Sequence, residues 1–163
     1  MAKQLGPGDA FPNYTVPTAD GRTLNIPADL RGEYAVIIFL PRRLVTYCVR
    51  QVADFQAHME EFGRENTDVV ALSVDPLDKA NEMVEKTGAT FPIGYGLKVP
   101  EDADKIGAYW EDRRKIIHAT SFIIDSDKKV TQACFATGPI GRIVAVDALS
   151  STRGAKKRKT QGG

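Results

Sequence analysis

The stretch Tyr34-Ala35-Val36-Ile37-Ile38-Phe39-Leu40 decides the fold. It is continuously apolar and rich in β-branched residues, with no polar alternation. A strand that faced water on one side would alternate, so this one is buried on both faces, as in a parallel sheet covered by helices. Pro41 closes the run. Beyond it the period changes. Val49, Val52, Phe55, Met59 and Phe62 recur at spacings of three and four, which predicts a helix from about Thr46 to Gly63. Val69-Val70-Ala71-Leu72-Ser73-Val74 then reads as a second buried strand. Strand, helix, strand in this order is a crossover unit, and its two strands run parallel.

Further outward the signals are of the same kind. Asp75-Pro76 opens a second helix, with Asp75 as the cap and Pro76 at the first position, and Gly88 ends it. Phe91-Pro92-Ile93 is a short extended piece, and residues 101–110 read as a short helix after Pro100. Ser121-Phe122-Ile123-Ile124-Asp125 is a third apolar strand. The turn Ser126-Asp127-Lys128-Lys129 folds it back on residues 130–136 as a hairpin. A short helix over residues 142–149 follows. Before the first strand, Phe11, Tyr14, Val16, Leu24 and Ile26 form short edge strands around Ala19-Asp20-Gly21-Arg22. The fold class is α/β, with a central mixed sheet whose parallel crossovers come first and whose antiparallel hairpin comes last.

With 163 residues, 42% hydrophobic and 26% charged, the chain has the length of one globular domain and enough apolar surface for one core. No run approaches the ~18 apolar residues of a membrane helix. Met1 to Gly8 lacks the apolar segment of a secretory signal, and the expected location is cytoplasmic. The net charge of +1 hides an asymmetry. Residues 151–163 carry five Lys/Arg and no acid, so residues 1–150 hold 17 basic against 21 acidic side chains. The domain is expected at 1–150, followed by a basic, disordered tail at 151–163, a solvated end rather than a nucleic-acid site. Two histidines and two cysteines far apart make no metal site, and no phosphate-binding glycine motif is present, so neither a metal nor a cofactor is implied.

Chemistry is expected where the Val36–Leu40 strand hands over to the helix, because ligand sites in open α/β sheets lie beyond the carboxyl ends of strands. Cys48 falls in or near the first turn of that helix. There the unpaired N–H groups and the positive end of the helix dipole favour a thiolate, the form that attacks peroxides and disulfides. Arg42, Arg43 and Arg50 are close in sequence. The alternative is a buried cysteine acting as a small hydrophobe.

The order of several segments resembles the peroxiredoxin superfamily, also called the alkyl hydroperoxide reductase/thiol-specific antioxidant family. They are Gly8-Asp9-Ala10-Phe11-Pro12-Asn13-Tyr14, Asp20-Gly21-Arg22, Leu30-Arg31-Gly32, Val36 to Pro41, Leu72-Ser73-Val74-Asp75, Thr90-Phe91-Pro92 and Ser121 to Asp125. The resemblance covers most of residues 5–150 and implies a thioredoxin-like, three-layer fold. The family's Pro-x-x-x-Thr-x-x-Cys motif reads here Pro41-Arg42-Arg43-Leu44-Val45-Thr46-Tyr47-Cys48, with Val45 at the Thr position and Thr46 one residue later. Leu44 to Val52 is also similar to a peroxiredoxin-like branch with a Trp-Cys-Pro-Tyr-Cys loop, of which only the second cysteine remains, so no Cys-x-x-Cys disulfide can form.

The resemblance implies a thiol peroxidase that reduces hydrogen peroxide or small organic hydroperoxides. Cys48 is its peroxidatic cysteine, cycling through a sulfenic acid reduced by an external thiol. Pro41 shields the site, and Thr46, Gln51 and an arginine, Arg42 or Arg43, hold the loop and the thiolate. The family's arginine just before the Phe-x-x-Asp strand has no counterpart in Ile116 to Ser121, where His118 is the polar candidate. Cys134 is the candidate resolving cysteine, or a core residue of its strand. Gly138-Pro139-Ile140-Gly141-Arg142 resembles a stretch of the same branch, with no chemical role attached. Relatives are often dimers, and a homodimer is the corresponding expectation. The rival reading is a thioredoxin-fold redox-sensing or binding module of weakened activity. A third is a disulfide oxidoreductase working through a mixed disulfide on Cys48.

Overall fold

The structure, a computed structural model, describes residues 3–41, 46–137 and 142–161, with backbone only at 46 and 159–161. The chain begins with an antiparallel hairpin, β1 (Tyr14–Pro17) and β2 (Thr23–Ile26), around the expected turn. Strand β3 (Tyr34–Leu40) follows, then α1 (Thr46–Ala57), α2 (Met59–Arg64), β4 (Thr67–Ser73), α3 (Leu77–Thr87), β5 (Ile93–Gly94) and α4 (Glu101–Asp104). A short pair, β6 (Trp110–Glu111) and β7 (Ile116–Ile117), leads into β8 (Thr120–Asp125), β9 (Val130–Phe135) and α5 (Ala145–Gln161).

The central sheet has the order β5-β4-β3-β8-β9. β3 pairs parallel with β4 and antiparallel with β8, and β8 folds back on β9. The apolar run is therefore the middle strand, and every residue in it is buried. Its alternation splits between two cores. Ala35, Ile37 and Phe39 pack with the β1–β2 hairpin and Ala103 of α4. Val36, Ile38 and Leu40 pack under α1, α2, α3 and α5. Burying each large side chain stabilises the fold by about 1.5–3 kcal/mol relative to exposure, which makes β3 the spine of the three layers.

Three local readings change. The single helix expected over 46–63 breaks at His58. Its ring Nδ1 lies 2.8 Å from the Asp54 carbonyl, the acceptor the His58 N–H would use in an α-helix. That N–H turns to Phe55 O instead, at 3.1 Å. Helix α3 has Pro76 rather than Asp75 at its cap, with no side-chain cap bond, while Gly88 ends it in the left-handed conformation as expected. The helix expected over 101–110 is one turn, Glu101–Asp104.

The C-terminal helix differs most. It continues to Gln161, so the expected boundary at residue 150 falls inside α5 and residues 151–161 are helical. Its basic side chains meet the acidic body. Arg153 Nε is 3.0 Å from Glu65 Oε1 and its Nη2 is 3.5 Å from Glu61 Oε2. Lys156 Nζ lies 3.2 Å from Glu65 Oε2 and 3.6 Å from Glu33 Oε2. These bonds hold the Glu65 carboxyl below the usual carboxylate range, the Arg153 bond most, then Lys156. Among the described residues no helix is long and apolar enough to cross a membrane.

Candidate active site

The site forms where β3 ends. Leu40 is its last residue, Pro41 is buried directly beyond it, and α1 begins at Thr46. Arg42, Arg43 and Val45 lie outside the described residues, as does the side chain of Thr46 and the segment 138–141. Cys48 is the third residue of α1 and is fully buried, in the same core as Ile38, Leu40, Val52 and Phe55. Neighbouring Tyr47 is 40% exposed, so the first turn of α1 reaches the surface while Cys48 faces inward. That turn carries no acidic side chain of its own against the positive end of the helix.

The cation comes from the other end of the chain. Arg142 Nη1 donates to Cys48 Sγ at 3.1 Å and to Gln51 Oε1 at 3.2 Å. Gln51 is 6% exposed, and its Nε2 donates to the Ile143 carbonyl at 3.2 Å. One amide therefore holds the guanidinium with its oxygen and the adjoining backbone with its nitrogen. One turn further, Asp54 Oδ2 accepts the Ala145 N–H at 2.7 Å. The guanidinium N–H lies on the sulfur itself, and a hydrogen bond from a cationic donor is stronger than one between neutral groups.

The other sequence candidates separate. His118 Nε2 lies 3.8 Å from Glu111 Oε2, and Glu111 is also held by Arg114. Cys134 sits on β9, the edge strand, opposite Ser121, which is itself opposite Ile38 of β3. Cross-strand partners share a face, so Cys134 points to the helix side on which Cys48 lies, two strands over from β3. Phe91 joins the Cys48 core, whereas Tyr109 and Trp110 are partly exposed. Among the described residues no group of His, Cys, Asp or Glu is arranged to hold a metal ion.

Residues 7–133 match the model of the AhpC/TSA family. The chain belongs to the AhpC/TSA family. Within it, the AhpC/TSA chain is 31% identical over 151 residues to a peroxiredoxin-family protein of Mycobacterium tuberculosis, covering 86% of this chain and 93% of that one. It is 27% identical over 135 residues to peroxiredoxin Bcp of Escherichia coli, covering 77% and 83%. Among solved structures, peroxidoxin BcpB of Mycobacterium tuberculosis superposes with a TM-score of 0.79 at 22% identity, over 93% of this chain and 98% of that one. At that identity the likeness speaks for the fold, which is the thioredoxin-like sheet with its flanking helices.

Arg142 is the residue that reading this AhpC/TSA sequence missed as chemistry. The signal was present: a single arginine three residues before α5, directly after Gly138-Pro139-Ile140-Gly141 in the sequence. A helix that packs beside α1 carries its leading residues to the turn where Cys48 sits.

Proposed function

We propose that Cys48 is the peroxidatic cysteine and that Arg142 is its activating cation. As a member of its family the protein is a thiol-dependent peroxidase, an oxidoreductase of peroxiredoxin type. The observation that carries the assignment of residues is the Arg142 Nη1 to Cys48 Sγ contact of 3.1 Å, in a first helical turn that carries no acid of its own.

The Cys48 thiolate attacks the terminal oxygen of a hydroperoxide. An S–O bond forms, the O–O bond breaks, and the departing alkoxide or hydroxide takes a proton to leave as alcohol or water. Sulfur is oxidised to sulfenic acid and the peroxide is reduced. An external thiol then displaces water from the sulfenic acid to give a mixed disulfide. A second thiol releases the Cys48 thiolate and leaves as half of a new disulfide. Negative charge moves from sulfur toward the peroxide oxygens during attack, and the Arg142 N–H groups are placed to follow it. Gln51 keeps the guanidinium in place, and Pro41 closes the strand side of the site. Substrates are hydrogen peroxide or small organic hydroperoxides, and the cycle uses one cysteine of the chain.

The test is to mix reduced protein with stoichiometric hydrogen peroxide and trap sulfenic acid, with Cys48→Ser as control. Rapid sulfenate that needs Cys48 is the expected result. Oxidation no faster than that of a free thiol at the same pH overturns the proposal.

A further inference from the structure

Three contacts run in register along α1. Cys48 meets Arg142, Gln51 meets Arg142 and the Ile143 carbonyl, and Asp54 meets the Ala145 N–H. Positions 48, 51 and 54 occupy successive turns of one helical row, and residues 142–145 lie across them as a strap. The lowest rung differs from the other two. Ala145 is the first residue of α5 and is fully buried. The residue before it is Val144, which has no side-chain acceptor, and the nearest acid of α5 itself is Asp147 in its first turn. An unmet N–H at a buried helix start is costly. The Asp54 carboxylate supplies the acceptor from a different helix, at the end of α5 where a negative charge is most favourable.

Arg142 stands only three residues ahead of that anchor. Its side chain has many rotamers, and holding it on one sulfur requires its backbone to be fixed. Gln51 holds Ile143 and, one turn further along the same row of α1, Asp54 holds Ala145. We propose that Asp54 is a positioning residue for the peroxidase site: by capping α5 across the helix pair it sets the backbone from which Arg142 reaches Cys48. This rests on the assignment of Cys48 as the reacting sulfur. Among the described residues, Asp54 faces the titratable His58 on the same helix, with Nδ1 3.7 Å from Oδ1, and Cys48 faces Arg142.

The experiment compares full-length variants in a Cys134→Ser background, so that ultraviolet thiolate absorbance reports Cys48. Asp54→Ala is expected to move the absorbance profile to higher pH and to slow peroxide reduction about three- to tenfold at neutral pH, the effect of one misplaced hydrogen bond. Asp54→Asn keeps an acceptor oxygen and is expected to recover most of both. Asp68→Ala is the stability control. It removes a comparable carboxylate bond, to the Gly32 N–H at 2.8 Å, at the opposite end of β3. It is expected to lower the melting temperature while leaving the Cys48 profile as in the parent. The inference is overturned if Asp54→Ala leaves the absorbance profile unmoved, if Asp54→Asn behaves like Asp54→Ala, or if Asp68→Ala shifts the profile as much. Because absorbance is read without peroxide, failure of the peroxidase reading shows separately, as a parent protein that titrates but forms no sulfenate.

Discussion

Arg142 reaches Cys48 across 94 residues of sequence, and the guanidinium nitrogen that touches the sulfur also touches Gln51. The nucleophile lies on α1 and the cation three residues ahead of α5, and the amide of a third side chain sets their approach. Electrostatic activation here depends on how α1 and α5 pack as much as on the identity of the cysteine.

Replacing the cation while keeping its bulk isolates its charge. Arg142→Met is expected to slow the reaction of Cys48 with hydrogen peroxide by roughly ten- to a hundredfold, since a hydrogen bond to a charged group contributes about 1.5–3 kcal/mol. Stopped-flow kinetics across pH is the measurement. A Met variant as fast as the parent at every pH removes Arg142 from the site.

Gln51 acts through Arg142, so its removal should cost less. In Gln51→Ala both the Arg142 bond and the Ile143 bond are lost, and a decrease of roughly three- to tenfold in peroxide rate is expected. Combining it with Arg142→Met tests the coupling. If Gln51 works by holding the guanidinium, the double variant is barely slower than Arg142→Met alone, whereas additive losses would show an independent role.

What could be read from residues alone follows from the range of the interactions. The β3 run, the β8–β9 hairpin and Cys48 at the head of α1 rest on patterns within about ten residues, and each lies where its pattern puts it. The features that escaped are held by distant partners. The break at His58 comes from a ring nitrogen taking a backbone carbonyl, which no hydrophobic period encodes. Past residue 150, α5 sets Arg153 and Lys156 against Glu33, Glu61 and Glu65, distant partners that no local pattern names, although the sequence already displayed a basic end beside an acidic body. Arg142 was visible as a residue and invisible as a neighbour of Cys48.

Gly32 offers a contrast between stability and activity. A Cβ added there would lie 2.6 Å from the Asn66 carbonyl oxygen and 2.8 Å from that of Tyr34, both backbone atoms that cannot swing aside. Gly32→Ala is therefore expected to destabilise the fold by about 1–3 kcal/mol through overpacking. Gly32 precedes β3, while Cys48 follows it, so the peroxide rate per folded molecule should be that of the parent. Urea denaturation with a lower midpoint and an unchanged slope, beside an unchanged rate, is the expected pair of results. A slower rate at full folding would mean that strain travels along β3.

Acid should release the end of α5 before the rest of the fold. The Glu65 carboxyl sits below its ordinary value of 4.5 in the folded state because Arg153 and then Lys156 bond to it. A carboxylate depressed in this way adds stability that is fully present above its unfolded value. That stability is lost as pH falls through the folded one, so the window opens near pH 4.5 and extends downward. The pairs are partly exposed, with Arg153 half open to solvent, so solvent screening keeps their contribution small. The protection of the amides over residues 151–158, taken relative to their intrinsic exchange rates at each pH, is expected to fall below that pH while the β3 amides stay protected. Glu65→Gln should show fast exchange in the same segment already at neutral pH, with little further change on acidification. An acid response in Glu65→Gln as large as in the parent would assign the effect to another carboxylate.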